Sequence, residues 1–351
     1  SAFFVHPSAA YIGYIDFRVL SLLFCLMLVV AGFQSIGLFH FLGSALLTKV
    51  RTTRQLILVL SLLCFFSSMF ITNDVSLLTF VPFTFVVVNS LDAAVRDKLL
   101  LPIVCMQTIA ANLGSMLTPL GNPQNLYLYG KSGMDMGSFV LLMLPYSILS
   151  LALLALWAVG LCRRGAEISM AHSAVAASPN KALLSLYSIL FVLCLLVVLR
   201  VLPYGIAFVA VLACVLLADR NTLCRVDYSL ILAFVALFIF IGNLGRFAAF
   251  SGWLQHILTG HEVLVSVLAS QVTSNVPAAI LLSGFTENIR SLIIGTNFGG
   301  LGTLIASMAS LISYREIARE LPLQKGRYFA LFTVSNILFL TVLMGAWALA
   351  G

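Results

Sequence analysis

The feature that most constrains this chain is the series of long apolar blocks that fills most of its length. Blocks such as 182–199 and 328–349 are long enough to cross a hydrocarbon layer of about 30 Å as helices. Of the 351 residues, 61% are apolar and only 9% are charged, whereas a soluble domain carries about 25% charged residues. The sequence therefore predicts an all-α polytopic membrane protein surrounded by a lipid bilayer, and it excludes a soluble or disordered chain.

Charge and cysteine usage narrow the function classes further. The net charge of +7 comes from short basic clusters between apolar blocks, where loop charges set membrane orientation, so we expect no nucleic-acid partner. The seven cysteines form no CxxC pair, and the sequence contains no GxSxG, DDxxD or HExxH motif. We therefore expect neither a resident cofactor nor catalytic residues, and an intramembrane enzyme is disfavoured.

Three short stretches recur in the same order in the two halves of the chain. Such weak internal symmetry, with Gly- or Pro-interrupted apolar segments, is typical of secondary transporters that are built from two repeats. The matched stretches are Ile15–Phe17 with Val226–Tyr228, Ile71–Val75 with Val272–Val276, and Asn112–Thr118 with Asn297–Thr303.

This symmetry predicts the division of the chain. We expect a first repeat over 1–161, a cytoplasmic linker over 162–181 and a second repeat over 182–351. Within the second repeat two apolar blocks, 182–199 and 204–218, precede Asp227, whereas within the first repeat only fifteen residues precede Asp16. We therefore expect that the first repeat lacks N-terminal helix in this sequence.

Two of the apolar blocks in the second half are too short to cross a membrane. Blocks 262–272 and 276–286 span only about 16 Å each as helices, so they predict a re-entrant hairpin, with Thr273, Ser274 and Asn275 at its tip. By analogy we expect a re-entrant hairpin over 56–90, although two full crossings fit the sequence equally well.

Loop charges predict how the two repeats are oriented. With both hairpins re-entrant, one face of the membrane receives 14 of the 19 basic residues, and this face is cytoplasmic by the positive-inside rule. The two hairpins then enter from opposite sides, so the sequence predicts inverted repeats, each with a re-entrant hairpin and a broken transmembrane helix.

Polar residues in apolar blocks mark the candidate binding site. They are costly in lipid, so we expect them to face a cavity. Glycine and proline break helices there, which frees carbonyls for a cation and N–H groups for an anion. The predicted substrate- and ion-binding residues are Thr72, Asn73, Asp74, Asn112, Gly114, Ser115, Thr118, Asn122, Asn125, Thr273, Ser274, Asn275, Thr296, Asn297, Gly299, Gly300 and Thr303.

The tips TNDV and TSNVP, the segment NLGSMLTPLGNPQN (112–125) and GTNFGG (295–300) resemble a known group. They are similar to the ion transporter superfamily of arsenite permeases and divalent-anion/sodium symporters, and the resemblance is closest to arsenite-permease-like anion permeases. It implies that tips and broken helices together bind substrate and coupling cation, in a homodimer with an elevator-like moving domain. The implied sodium ligands are Thr72, Asn73, Asp74 and Gly114 at one site, and Ser274, Asn275 and Gly299 at the other. The first tip departs from the Ser-Asn-Thr tip of the dicarboxylate branch, which argues against a dicarboxylate substrate.

Asp74 is the one acid deep within an apolar stretch. It is expected to couple transport to sodium or protons, although an N-cap of the second hairpin arm is the alternative reading. No lysine or arginine falls in any of the four motif segments at the tips and breaks, so an anion would depend on helix N-termini and amides, whereas a neutral oxyacid needs only hydrogen bonds.

The sequence thus predicts a cation-coupled secondary transporter of a small anion or neutral oxyacid, working by alternating access in a bacterial or archaeal inner membrane. A sodium/proton antiporter of the same superfamily and a passive channel are the alternatives.

Overall fold

The structure, a computed structural model, describes residues 10–162, 167 and 177–350. The described residues form seventeen α-helices and three short 3-10 helices, and their only extended pairing is an isolated bridge between Thr52 and Glu167. Most of the predicted linker over 162–181 lies outside the described residues. The helices are α1 (Ala10–Tyr14), α2 (Phe17–Ser35), α3 (Leu38–Leu47), α4 (Thr53–Ile71), α5 (Asn73–Asn89), α6 (Ala93–Gly114), α7 (Pro123–Ser132), α8 (Met136–Leu161), α9 (Lys181–Val198), α10 (Tyr204–Ala218), α11 (Tyr228–Leu244), α12 (Ala248–Leu258), α13 (Glu262–Thr273), α14 (Asn275–Leu282), α15 (Ile289–Phe298), α16 (Met308–Glu320) and α17 (Lys325–Ala350).

Six of the described helical segments are long and apolar enough to cross a membrane: α2, α4, α6 with its 3-10 extension, α8, α9 and α17 with the 3-10 turn before it. Helix α6 is almost entirely buried, whereas α8, α9 and α17 leave most of their apolar residues uncovered. Leu156 and Val334, for example, are each 68% exposed, which suits side chains that face lipid. These observations confirm the predicted all-α polytopic membrane protein.

Matching aspartates begin α2 and α11. The Asp16 carboxylate accepts a hydrogen bond from the Val19 N–H at 3.0 Å, and the Asp227 carboxylate accepts from the Ser229 and Leu230 N–H groups. Aspartate is a favoured N-cap because its side chain pairs N–H groups that have no partner within the first turn. The first of the three sequence matches thus falls on equivalent helix starts.

Each predicted hairpin turns at a single residue. Thr72 separates α4 from α5 with φ 67° and ψ 151°, and Ser274 separates α13 from α14 with φ 73° and ψ 154°. Positive φ is strained for residues other than glycine and persists only where surrounding contacts impose it. The predicted three-residue tips are therefore wrong, because helix continues through Thr273 and resumes at Asn275.

This geometry also corrects the register of the tip alignment by one residue. Thr72 is equivalent to Ser274 rather than to Thr273, since these are the two residues with the unusual backbone. Asp74 is then equivalent to Val276, so the acid has no amide counterpart at Asn275.

Both broken helices are interrupted where the sequence predicted. Helix α6 passes into a 3-10 turn over Ser115–Leu117 and then into α7, and α15 is followed by a non-helical stretch before α16. Glycine allows each break to lie against a hairpin arm: a Cβ on Gly114 would lie 2.0 Å from the Phe65 carbonyl oxygen of α4, and one on Gly299 would lie 2.6 Å from the Ser270 Cβ of α13. The two breaks therefore contact equivalent arms.

Packing between the halves is reciprocal. Helix α5 packs along α16, and α7 packs along α14 and α15. The second arm of the first hairpin (α5) thus contacts α16, which follows the break in the second half. The second arm of the second hairpin (α14) contacts α7, which follows the break in the first half. Helices α9 and α10 pack against α2.

Candidate functional site

The two tips dock onto the two breaks by equivalent backbone hydrogen bonds. The Asn73 N–H donates to the Gly121 carbonyl at 3.2 Å, and the Asn275 N–H donates to the Ala306 carbonyl at 3.0 Å. In each case the donor directly follows the residue with positive φ. The acceptor directly precedes the N-cap of the next helix, which is Asn122 for α7 and Ser307 for α16. These contacts hold each tip against the break of its own half.

Asn112 joins the first tip to the second break. Its Oδ1 accepts from Asn73 Nδ2 and from Ser307 Oγ, each at 2.9 Å. Its Nδ2 donates to the Gly300 carbonyl and to Ser310 Oγ, each at 3.4 Å. All four side chains are buried, so this amide uses both of its ends within the protein.

Asn297 makes the converse connection from the second half to the first. Its Nδ2 donates to Asn125 Oδ1 and to the Ile293 carbonyl, each at 2.7 Å. Asn125 Nδ2 in turn donates to the carbonyls of Ser115 at 3.1 Å and Thr118 at 3.3 Å. The Asn297 Oδ1 atom is buried, and no hydrogen-bond partner is found for it in the described part of the chain.

Threonines fasten each break to the arm that leads into its tip. Thr118 Oγ1 donates to the Met69 carbonyl, and Thr303 Oγ1 donates to the Gln271 carbonyl at 3.1 Å. Each acceptor lies three residues before the residue with positive φ. The structure therefore keeps the predicted register of the broken helices while shifting that of the tips.

Asp74 lies in the first turn of α5, but Thr72 occupies the N-cap position of that helix. The Asp74 N–H donates to Asn73 Oδ1 at 2.9 Å, and the buried Asp74 Oδ1 has no hydrogen-bond partner among the described residues. The alternative prediction that Asp74 is the N-cap is therefore wrong. The carboxylate is instead held near a helix N-terminus, where a negative charge is favoured.

Most predicted site residues gather at this centre. Asn122 Nδ2 donates to Ser115 Oγ, and Ser274 Oγ lies 3.4 Å from both Asn275 Oδ1 and the Ala306 carbonyl. Thr72 lines a small cavity between the first tip and α2 together with Asn122. A Cβ on Gly300 would lie 3.1 Å from Asn275 Nδ2, so that glycine lies beside the second tip.

Two predicted residues are directed elsewhere. Thr273 is exposed, and its hydroxyl donates at 3.0 Å to the Ala269 carbonyl of its own helix. Thr296 is buried, but its hydroxyl donates at 2.7 Å to the Leu292 carbonyl one turn back. The structure does not bring either hydroxyl into the network of amides.

The predicted sodium ligands lie beside the tips, but Asn73 Oδ1, Asn275 Oδ1 and the Gly299 carbonyl already accept hydrogen bonds from the protein. The Gly299 carbonyl accepts from Gln271 Nε2 at 3.1 Å, and the same amide donates to the Leu301 carbonyl at 3.0 Å. The other available groups are amide, hydroxyl and carboxylate oxygens, the ligand types that hard cations prefer.

Sequence reasoning missed three members of the site and a buried amide in α7. Ser307 and Ser310 bind Asn112, and Gln271 holds the second break. Gln124 is fully buried, and neither atom of its amide has a hydrogen-bond partner among the described residues. These residues could have been found by the rule that identified the tips, namely that a polar residue within an apolar helix faces other polar groups.

Comparison of the sequence with known proteins shows a match to a family of transporters. The family described as citrate transporter (CitMHS) matches residues 2–289. The chain is 31% identical to the inner membrane protein YbiR of Escherichia coli K12 over 307 residues, covering 86% of this chain and 80% of that protein. It is 30% identical over 333 residues to an uncharacterized transporter, MJ0456, of Methanocaldococcus jannaschii, covering 94% and 89%.

A shorter match extends to plants. Over 131 residues the chain is 32% identical to the silicon efflux transporter LSI3 of Oryza sativa, covering 37% of this chain and 26% of that protein. The predicted closeness to arsenite permeases is not tested by these matches and stays a prediction. The extent of the family match, with six candidate membrane spans, shows that the chain is a membrane protein that belongs to the citrate transporter family.

Proposed function

We propose that this protein is a cation-coupled secondary transporter that moves a small oxyacid across a membrane by alternating access. The observation that carries the proposal is the buried polar centre in which both tips meet both breaks, within an otherwise apolar helical protein. Asn112 and Asn297 each bind across the two halves of the chain. A ligand bound at this centre contacts segments from both halves, as alternating access requires.

The reciprocal contacts support two inverted repeats with re-entrant hairpins. Helices α13 and α14 have 12 and 8 residues, so they reach only about 18 Å and 12 Å. Their equivalents α4 and α5 have 19 and 17 residues. The short arms of the second hairpin thus support its assignment as re-entrant. The first hairpin is assigned as re-entrant because its tip has the same backbone conformation.

The chemistry of the centre favours an uncharged, hydroxyl-bearing oxyacid over a multiply charged anion such as citrate. No lysine or arginine occurs in 71–75, 112–125, 272–276 or 295–303. At this centre two buried acceptor oxygens, Asp74 Oδ1 and Asn297 Oδ1, have no partner among the described residues. Acceptors bind ligands that donate hydrogen bonds, as undissociated hydroxyls do, and they repel carboxylates. The name of the silicon efflux relative is consistent with this class.

Asp74 is assigned the coupling role. Its buried Oδ1 has no partner among the described residues, and Asp74 follows Asn73, whose side chain donates to Asn112. A cation or a proton there neutralises a charge whose burial is otherwise unfavourable. Binding of the coupling ion and closure of the first tip are thereby linked.

The test uses the full chain in proteoliposomes with arsenous acid and silicic acid as probes, under imposed sodium or proton gradients. We expect gradient-driven flux in the wild type and a loss of about tenfold or more in Asp74→Asn, as for removal of a hydrogen bond to a charged group. Asp92→Asn is the matched control, because Asp92 is exposed and its side chain makes no cap hydrogen bond. Full gradient-driven flux in Asp74→Asn would contradict the assignment of Asp74.

A sodium/proton antiporter is the second candidate, and the unpartnered Asp74 carboxylate favours it. Sodium and a proton would compete for this one group. The distinguishing measurement is a sodium-driven change of internal pH in vesicles without any oxyacid. Such a change, together with no flux of either acid, would replace the oxyacid proposal.

We further propose a cell inner membrane location, in line with the name of the YbiR relative. The homodimer implied by the superfamily resemblance is part of the same proposal.

A further inference from the structure

The two halves of the centre are equivalent in position but not in hydrogen bonding. Asn112 and Asn297 hold the same place, two residues before Gly114 and Gly299. Each donates through Nδ2 to the other half, to Ser310 and Asn125 respectively. However, Asn112 Oδ1 accepts two hydrogen bonds, whereas the buried Asn297 Oδ1 has no partner in the described residues.

The difference follows from the residues at the half-helix caps. Ser307, the N-cap of α16, donates to Asn112 Oδ1 at 2.9 Å. The equivalent N-cap of α7 is Asn122, which donates to Ser115 Oγ instead. The cap residue therefore accounts for one of the two hydrogen bonds that Asn297 Oδ1 lacks, and the other is the bond that Asn73 of the first tip donates to Asn112.

A second buried amide without a partner among the described residues lies in the first half, next to the residue that binds Asn297. Gln124 is fully buried, and both Oε1 and Nε2 lack partners among the described residues. It precedes Asn125, which binds Asn297, and its equivalent in the other half-helix is the apolar Ala309. A buried unpaired amide destabilises a fold, and native proteins keep few of them, so each requires an explanation.

The position of Gln124 on α7 relates it to the second hairpin. Tyr127 and Lys131 follow at spacings of three and seven residues, so the three share one face of the helix. The Tyr127 hydroxyl lies 2.8 Å from Ser283 Oγ at the end of α14, and the Lys131 ammonium donates to the Ser283 carbonyl. Gln124 therefore lies on the side of α7 that packs against α14, one to two turns nearer the break.

We infer that Gln124 and the Asn297 carbonyl form the substrate-selective pole of the centre, and that the Asn112 pole holds the two halves together. This inference rests on the proposed transport function and names residues within its site. Two acceptor oxygens and one NH₂ group suit a small acid whose undissociated hydroxyls both donate and accept. Selection at this pole uses hydrogen bonds alone, since the amides carry no charge.

The test removes the Gln124 amide while keeping its volume. In the purified full chain, Gln124→Met should leave thermal stability without ligand equal to or above that of the wild type, because an unpaired buried amide is lost. The same substitution should weaken binding of arsenous acid by about tenfold, measured as the ligand-induced shift of the unfolding temperature across a concentration series.

Gln107→Met is the matched control. Gln107 is equally buried, but its Nε2 donates to the carbonyls of Leu60 and Phe80 at 3.3 and 3.4 Å, so that only its Oε1 lacks a partner among the described residues. Its substitution should therefore lower stability without ligand and leave the affinity for arsenous acid unchanged. The opposite responses of the two glutamines separate a ligand-binding amide from a structural one.

Each remaining outcome is decisive. Unchanged arsenous acid binding in Gln124→Met, or a loss of stability like that of Gln107→Met, would overturn the inference and leave the transport proposal intact. Failure of both Gln124→Met and Gln124→Leu to fold would make the amide structural and overturn it as well. Wild-type binding of citrate but not of arsenous or silicic acid would overturn the ligand class, and binding of none of the three would overturn both proposals.

Discussion

At the scale of single residues, Gly114 sets how closely the first broken helix approaches its hairpin. A Cβ at this position would meet the Phe65 carbonyl oxygen at 2.0 Å, and backbone cannot move aside as a side chain tip can. We expect Gly114→Ala to destabilise the protein by about 2 kcal/mol or more, as overpacking of a core does. Thermal unfolding in detergent measures the change. Gly345→Ala in α17 is the control, since nothing lies within 4 Å of a Cβ there, and it should be neutral or stabilising by up to about 1 kcal/mol. Equal stability of Gly114→Ala and Gly345→Ala would contradict this close approach of α6 to α4.

At the scale of elements, α7 and α15 are joined by the amide pair Asn125 and Asn297, at 2.7 Å. A buried hydrogen bond between two elements should appear as a coupling free energy in a double-mutant cycle. With Asn125→Ala and Asn297→Ala, we expect a coupling of about 0.5–1.5 kcal/mol in unfolding free energy. Asn297→Ala combined with Ser310→Ala provides the comparison, because Ser310 binds Asn112 rather than Asn297. A coupling near zero for the first pair, or equal couplings for both, would contradict this pairing.

At the scale of the whole molecule, the proposed inverted repeats require the two hairpins to open to opposite faces of the membrane. Single cysteines introduced into a background without the seven native ones can report this with a membrane-impermeant thiol reagent. We expect Asp92→Cys, between α5 and α6, and Arg319→Cys, near the end of α16, to label from the cytoplasmic side. Arg290→Cys, at the start of α15, should label from the outside. All three residues are exposed, so labelling reports the side of the membrane on which each residue lies and not its burial. Labelling of Asp92→Cys and Arg290→Cys from the same side would rule out the inversion.

The sequence by itself determined the class of the protein and the place of its centre. Long apolar blocks with few charges require helices in a membrane, and glycine, proline and asparagine in those blocks require breaks that face polar groups. Both breaks and most of the amides lie where these rules predicted, because the rules depend on local composition.

Only the tertiary structure decided the register of the tips and the difference between the two poles. Thr72 and Ser274 turn the chain because Asn73 and Asn275 bind the Gly121 and Ala306 carbonyls, and such contacts between distant segments leave no mark on local sequence. Whether an asparagine oxygen is paired likewise depends on the residue that faces it from the other half. Both asparagines join the two halves through Nδ2, but Asn112 Oδ1 accepts from Ser307 whereas Asn297 Oδ1 has no partner among the described residues.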